Sequence, residues 1–339
     1  MSINNLTPEE LEAYAEAHGE KKFRGKQLFT FFNKSGRVDL EHSNLPKNFI
    51  NQIPRVDDAK IFRTYVSKLD DTKKFLFELN DGNLIEGVLM HYKHGYSQCI
   101  STQVGCRMGC VFCASTKKGL VRNLTSAEML RQVYTVEAAY HIKVSNVILM
   151  GSGEPMDNYD NVLKFLKLLH HPQGHHTSYR NMTLSTCGVV DGIDKLAREG
   201  LPITLAISLH SPYNDLRSDI MPINRKYNLE ELIAAAKRYS EATSSRITFE
   251  YTLIAGENDT RDHAVALYSL LKGLRAHINL IPLNAIEEYD KGRSTAEAIQ
   301  SFKKELERLG AEVTIRRELG SDISASCGQL RRNFEGGIL

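Results

Sequence analysis

The chain predicts an α/β fold, a partial or complete (β/α) barrel preceded by a small N-terminal α+β unit. Three observations carry this. From about residue 96 to 320, strand-like apolar runs alternate with amphipathic helical stretches six or seven times. Ahead of that region the pattern differs, with helices followed by a hairpin whose turn signal is Asp81-Gly82. The length, 339 residues, suits two domains or one barrel with an extension. The expected division is an accessory unit over 1–90, the barrel and its last loop over 91–330, and a tail over 331–339.

The elements follow in chain order. Thr7-Pro8-Glu9-Glu10 opens a helix, because Thr7 can cap it and Pro8 fits its first turn. FRGKQLFTFFNK continues at helical spacing, approached by Lys21, Lys22, Arg24 and Lys26. IFRTYVSK and KKFLFELNDGNLIEGVLMHY supply strands. In the alternating region YSQCISTQ, NVILMG, MTLSTCG, ITLAISLH, RITFEYTLI, HINLIPLN and EVTIRREL are strands. The helices between them are SAEMLRQVYTVEAAY, YDNVLKFLKLLHH, VDGIDKLAREG, NLEELIAAAKRYSEA, HAVALYSLLKGL and TAEAIQSFKKELERLG. Strands joined by helices of that length lie parallel, with the helices outside. A doubly wound sheet is the rival, since strand order cannot be read from periodicity. In both folds chemistry belongs at the carboxyl ends of the strands. LRRNFEGGIL is expected to be a short, loose tail.

Composition excludes several classes. With 42% hydrophobic and 25% charged residues the chain is not disordered. No run approaches 18 consecutive apolar residues, so no membrane span is expected. The polar N-terminus does not resemble a signal peptide, and a cytoplasmic location is expected. Lys+Arg total 43 against 41 Asp+Glu, a balance that neither requires nor forbids a nucleic-acid partner. Six cysteines are too few for a disulfide scaffold, yet Cys99, Cys106, Cys110 and Cys113 crowd together, with Cys187 and Cys327 far off.

CRMGCVFC holds Cys106, Cys110 and Cys113 in a C-x3-C-x2-C pattern after the first barrel strand. Thiolates suit zinc or an iron–sulfur cluster. A structural zinc site closes with four ligands, and so does a ferredoxin-type cluster. Three cysteines on a [4Fe–4S] cluster leave one iron open, which S-adenosylmethionine can chelate. A zinc site completed by a distant Cys or His, or a chance grouping of buried thiols, remains the alternative. One strand later comes LMGSGEP, a glycine-rich strand end carrying a carboxylate.

On CRMGCVFC and GSGEP the chain resembles the radical SAM enzymes, so the expected barrel is a radical SAM barrel. STQVGCRMGCVFC, GSGEPMDNYDNV, LSTCGVV, ISLHSPYNDLRSDIMPINRKY, NLIPLN and DISASCGQL together resemble the RlmN/Cfr family, adenosine methyltransferases of structured RNA. The resemblance spans about residues 20 to 330. It implies one [4Fe–4S] cluster on Cys106, Cys110 and Cys113, and S-adenosylmethionine, two molecules per turnover. It implies cofactor contacts at Gly153, Glu154, Ser185, Ser208, Leu209, His210 and Asn284. It implies Cys327 as the S-methylcysteine intermediate and Cys99 as the resolving thiol, paired with it in a transient disulfide. Glu86 matches the family's proton acceptor. Pro155 after Gly-Glu resembles the branch that methylates adenine C2; the C8-methylating resistance branch is the alternative, and a non-catalytic, zinc-containing RNA-binding protein a further one. Ser152 and Cys187 depart from the family pattern, Cys187 being expected as a small buried hydrophobe.

That chemistry has a physical reason. Adenine C2 is an electron-poor carbon with no nucleophilic lone pair, so polar methyl transfer fails there and the cofactor must supply radical chemistry. The implied partners are 23S rRNA and tRNA, with flavodoxin or ferredoxin as electron donor, and the chain is expected to be a monomer. RNA contacts are expected among Lys21, Lys22, Arg24, Lys26, Lys117, Lys118, Arg122, Arg225, Lys226, Arg316, Arg317, Arg331 and Arg332, each of which could equally be part of a solvated face.

Overall fold

The computed structural model describes residues 2–331; Met1 and residues 332–339, with Arg332 and most of the expected tail, lie outside the described residues. The N-terminal unit holds α1 (Pro8–Ala17), α2 (Phe23–Asn33), α3 (Lys47–Ile50), β1 (Ala59–Val66), β2 (Lys73–Leu79) and β3 (Leu84–Tyr92). Thr7 and Glu10 close a reciprocal capping box on α1, satisfying two orphan N–H groups. At Asp81-Gly82 the Leu79 N–H donates to the Asn83 carbonyl at 2.9 Å, closing the hairpin.

There follow β4 (Gly95–Cys99), β5 (Gln103–Gly105), β6 (Leu120–Asn123), α4 (Ser126–Tyr140), β7 (Val144–Leu149) and α5 (Tyr159–His170). Next come β8 (Met182–Thr186), α6 (Val190–Glu199), β9 (Thr204–Ser208), α7 (Asn214–Ile220), α8 (Leu229–Thr243) and β10 (Ile247–Leu253). The chain continues with α9 (Arg261–Leu271), β11 (Ala276–Pro282), α10 (Ala296–Arg308) and β12 (Val313–Ile315). Ten strands form one sheet in the order β1-β2-β3-β4-β7-β8-β9-β10-β11-β12. From β4 onward every pair is parallel, while β1 to β4 are antiparallel. Parallel order follows chain order without reversal, which rules out the doubly wound sheet. Among the described residues β12 pairs only with β11, so the barrel is partial.

The N-terminal hairpin is continuous with the barrel sheet, because β3 pairs with β4. The expected strand YSQCISTQ is two pieces: β4 stops at Cys99, and β5 pairs with β6 as a separate ribbon. The break arises where Ile100 and Ser101 turn against the end of β7. Thr102 and Gln103 N–H groups both donate to the Ser152 carbonyl there. The seven residues of α7, which no periodic run announced, lie between β9 and α8. One apolar core runs from Phe29, Phe49, Phe75 and Phe77 through Phe165, Phe249 and Phe302. At roughly 1.5–3 kcal/mol per fully buried large side chain, it ties hairpin and barrel together. Among the described residues no helix is long and apolar enough to cross a membrane.

Candidate active site

The carboxyl ends of β7 to β11 open into one cavity of about 930 Å³, counted out to its mouth. Strand alternation decides which side chains reach it, since residues two apart share a face. Thus Ser185 and Cys187, Ser208 and His210, and Glu250 and Thr252 line the cavity, joined by Gly153, Glu154, Asn284, Arg316 and Cys327. Leu209, expected at the cofactor, falls between two inward residues, and its side chain is buried in the core.

Cys106, Cys110 and Cys113 form one wall of the same cavity. Thr116 Oγ1 donates toward the Cys110 and Cys113 carbonyls at 3.1 and 2.9 Å, and the Val111 N–H donates to Ile220, fixing the loop. Burial pushes the Cys106 thiol up to about 12 and raises Cys110, with each neighbouring thiol adding to the shift. Three soft donors that repel one another as thiolates fit a bound cationic cluster. Among the described residues no three His, Cys, Asp or Glu side chains converge as the donor set of a single metal ion. The thiols border a space instead. Cys187, expected as a small buried hydrophobe, is buried and faces this space too, its raised thiol against the Glu154 carboxylate.

Glu154 is buried. Its Oε1 accepts from the Met156 N–H at 3.0 Å and its Oε2 from the Cys187 N–H at 2.8 Å, while burial raises its carboxyl. Its own N–H donates to Gln103 Oε1 at 2.9 Å. His210 holds a left-handed backbone, φ 57°, and its Nδ1 accepts from the Thr252 N–H at 2.9 Å. Burial lowers it to about 3, so the ring is neutral and Nε2 carries the hydrogen. Arg217 is a residue the motif reading passed over. Fully buried, it donates to the Leu209, Cys187 and Ser208 carbonyls at 3.0, 2.8 and 3.1 Å and to Asn224 Oδ1 at 2.8 Å. It thereby pins the ends of β8 and β9 together.

Cys327 lines the same cavity as the three thiols, on the loop after β12 and beside the Cys113 segment. Asn284 Nδ2 donates to its carbonyl at 3.0 Å, and the Ala114 N–H donates to the Gly328 carbonyl at 2.7 Å. Cys99 is buried behind it, at the end of β4, packed with Leu319 and Ala325 of that loop. Both thiols are free. Burial pushes Cys99 up to about 12, a Cys327 charge adds to this, and Arg316 opposes it. Arg316 is therefore no outward phosphate contact. Its Nη1 reaches Glu250 Oε2 at 3.5 Å, and Glu250 in turn accepts from Asn279 Nδ2 at 2.8 Å. Glu250 was detectable in principle, as the one acidic residue inside the apolar run RITFEYTLI.

Other expected residues lie apart. Glu86 is not in the cavity wall; it pairs with Lys74 under the last loop. Arg122 is held between Asp81 and Glu128, and Lys22, Lys26 and Arg24 pair with Glu16, Glu12 and Glu20. Lys117 Nζ donates to the Val111 carbonyl, Lys226 lies over the Tyr227 ring, and Arg331 pairs with Glu288. Lys21, Lys118, Arg225 and Arg317 are exposed.

Comparison with known proteins agrees with this geometry. The model of the radical SAM superfamily matches residues 100–268. A solved radical SAM methyltransferase from Sphaerobacter thermophilus is 41% identical and superposes with a TM-score of 0.93, covering 98% of this chain and 100% of that one. This is a radical SAM enzyme, with a [4Fe–4S] cluster and S-adenosylmethionine as its cofactors. Two relatives named "Probable dual-specificity RNA methyltransferase RlmN" are closely similar. That of Clostridium novyi is 50% identical, over 98% of both chains; that of Alkaliphilus metalliredigens is 49% identical, over 98% of this chain and 96% of its own. The chain belongs to the RlmN family of radical SAM methyltransferases.

Proposed function

We propose that this enzyme methylates C2 of an adenosine in 23S rRNA and in tRNA, in the cytoplasm, by way of a methyl group carried on Cys327. The supporting observation is that Cys327 shares one cavity with the three-thiol wall while a second free thiol, Cys99, packs behind its loop. Cys106, Cys110 and Cys113 would hold the cluster; Gly153, Glu154, Ser185, Ser208, His210 and Asn284 would seat S-adenosylmethionine. When bound, this pair supplies one-electron cleavage of the sulfonium and the methyl group itself. A small flavoprotein or ferredoxin would deliver the electron.

The chain's own residues do the rest. Glu154 is held in place at the cavity wall by two backbone N–H groups. Neutral His210 presents Nε2–H as a donor. Once the Cys327 sulfur is joined through the former methyl carbon to the base, the C2 hydrogen must leave as a proton, and the adduct's odd electron would return to the bound cluster. Cys99, as thiolate, then attacks the Cys327 sulfur. A disulfide forms, the sulfur–carbon pair goes to the carbon, and that carbon takes a proton to become the methyl group. Pro155, which begins the turn after Glu154, is the feature favouring C2 over C8.

The test is nucleoside mass spectrometry of 23S rRNA and tRNA from cells with and without the gene, against synthetic 2-methyl- and 8-methyladenosine. Loss of 2-methyladenosine from both RNAs is expected. An 8-methyladenosine signal, or no change in either RNA, overturns the reading.

A further inference from the structure

The segment bearing the three cluster cysteines has two neighbours. Its later residues meet the loop of Cys327, where the Ala114 N–H reaches the Gly328 carbonyl and Ser115 Oγ donates to the Leu330 carbonyl at 2.7 Å. Its earlier residues meet the turn that follows α7. There the Val111 N–H donates to the Ile220 carbonyl at 3.1 Å, and a Cβ on Gly109 would stand 3.4 Å from Pro222. On this second side a surface groove of about 720 Å³ opens among Arg107, Met108, Val189, Pro222, Ile223 and Lys226. Met108 lines both the groove and the cavity, so one side chain separates the space beside the thiols from solvent. Met108, Val189 and Ile223 also pack in the same apolar cluster as Cys110. The rim is cationic. Arg107 stays largely exposed although it pairs with Asp157, Lys226 lies 4.7 Å over the Tyr227 ring, and Arg225 beside it is exposed. Two nearby carboxylates are already engaged: Asp157 accepts from Gln103 Nε2 at 2.9 Å and from Arg107, and Asp191 accepts from the Tyr227 hydroxyl at 2.5 Å.

We propose that this groove is where the electron donor docks, and that the donor is a small acidic flavodoxin-type protein whose carboxylates meet Arg107, Arg225 and Lys226. The proposal rests on the reading above, in which RNA comes to Cys327 and a one-electron donor serves the cluster. An electron needed while RNA covers the Cys327 side must enter from elsewhere, and the groove is the other neighbour of the cluster segment. Its make-up fits. An apolar floor ringed by charge is the anatomy of a protein interface, and redox encounters lie at the small end of the size range. Complementary charge raises the encounter rate, while a small buried area lets the spent donor leave. RNA suits the groove less well, since phosphates would leave the apolar floor of Met108, Pro222 and Ile223 without a partner. No bond forms or breaks at this face. The anionic flavin hydroquinone gives up one electron and becomes the neutral semiquinone, and that electron passes to the bound cluster.

The test uses the anaerobic holoenzyme and a bacterial flavodoxin. Lys226→Glu, with Lys226→Arg as its conservative counterpart, is compared with Lys272→Glu, the same charge reversal at an exposed site just before β11, at the strands' amino ends. Two quantities are read: the Kd for oxidised flavodoxin, from flavin fluorescence, and the rate at which flavodoxin hydroquinone bleaches the visible absorbance of the cluster. At low salt Lys226→Glu should weaken binding and slow reduction about fivefold or more, and about 0.5 M salt should erase the difference. Lys226→Arg and Lys272→Glu should match wild type. Reduction by dithionite, which needs no docking, and affinity for a 23S rRNA fragment should be unchanged in all three variants. Unchanged donor binding and reduction in Lys226→Glu, or an equal loss in Lys272→Glu, overturns the proposal. So does a loss of RNA affinity in Lys226→Glu, which would make the groove an RNA surface, or a wild type that flavodoxin neither binds nor reduces. Both quantities are read without RNA, so they are independent of the product. Docking as described with no 2-methyladenosine formed keeps the groove and rejects the methylation reading.

Discussion

Gly153 offers a test of how tightly the cofactor turn is built. Its φ is +109°, and a Cβ there would sit 2.6 Å from Gln103 Cβ, 2.8 Å from the Gln103 nitrogen and 2.8 Å from Thr102 Oγ1. Gly153→Ala therefore incurs two costs: about 1–3 kcal/mol for a side chain in an unfavourable backbone region, and about 1–3 kcal/mol for overpacking against backbone that cannot yield. Gly200, the left-handed cap of α6 at φ +61°, has nothing within 4 Å of its would-be Cβ. Gly200→Ala bears only the first cost, about 1 kcal/mol. Urea unfolding midpoints of the anaerobic protein should separate the two variants by at least about 1 kcal/mol. Because the Glu154 N–H bonds to the same Gln103 that is struck, Gly153→Ala should also weaken S-adenosylmethionine binding by about tenfold or more, or 1.4 kcal/mol. If Gly153→Ala is no less stable than Gly200→Ala and binds the cofactor normally, the steric argument is wrong.

Three further outcomes follow from the cavity. Alanine at Cys106, Cys110 or Cys113 should abolish iron binding, measured by metal analysis and visible absorbance; near wild-type iron would reject that thiol as a ligand. Cys99→Ala should leave Cys327 methylation intact but accumulate a protein–RNA adduct on denaturing gels, absent from the double variant with Cys327→Ala. Normal turnover without adduct would remove Cys99 from the release step. Since burial pushes the Cys99 thiol up to about 12, its thiolate fraction rises with pH throughout the working range. Adduct release in a single turnover should then accelerate about tenfold per pH unit until another step limits, and a flat profile would show that the thiolate is not the attacking species.

Much of this was legible because the governing patterns are local. The helix–strand alternation and the Asp81-Gly82 turn are written in neighbouring residues, and so are the Thr7 cap and the C-x3-C-x2-C spacing. Strand order, barrel closure and the break after Cys99 are not, because they depend on which distant edges meet. The partial barrel is settled by β12 having β11 as its one partner among the described residues and by the antiparallel hairpin sitting beyond β4. Glu86 shows the same limit. A glutamate on an alternating strand looks solvated or catalytic from its neighbours alone, and only the fold brings Lys74 and the Arg331 N–H against it.

Arg316 and Arg317 make the point most sharply, for they are adjacent and identical in type. Just past the end of β12, Arg317 is exposed, while Arg316 lies toward Glu250 and the two thiols. An arginine so placed is a fixed positive charge that cannot serve as a proton source, because its neighbours raise its affinity for the proton further. Glu250 partners it at 3.5 Å, and Asn279 in turn holds Glu250. Cys327 and Cys99 must each pass through an anionic state in the proposed cycle, one to take up a methyl group and one to release the product. One cation facing both favours each anion in turn without blocking either. The same residue type one position later is only an exposed charge.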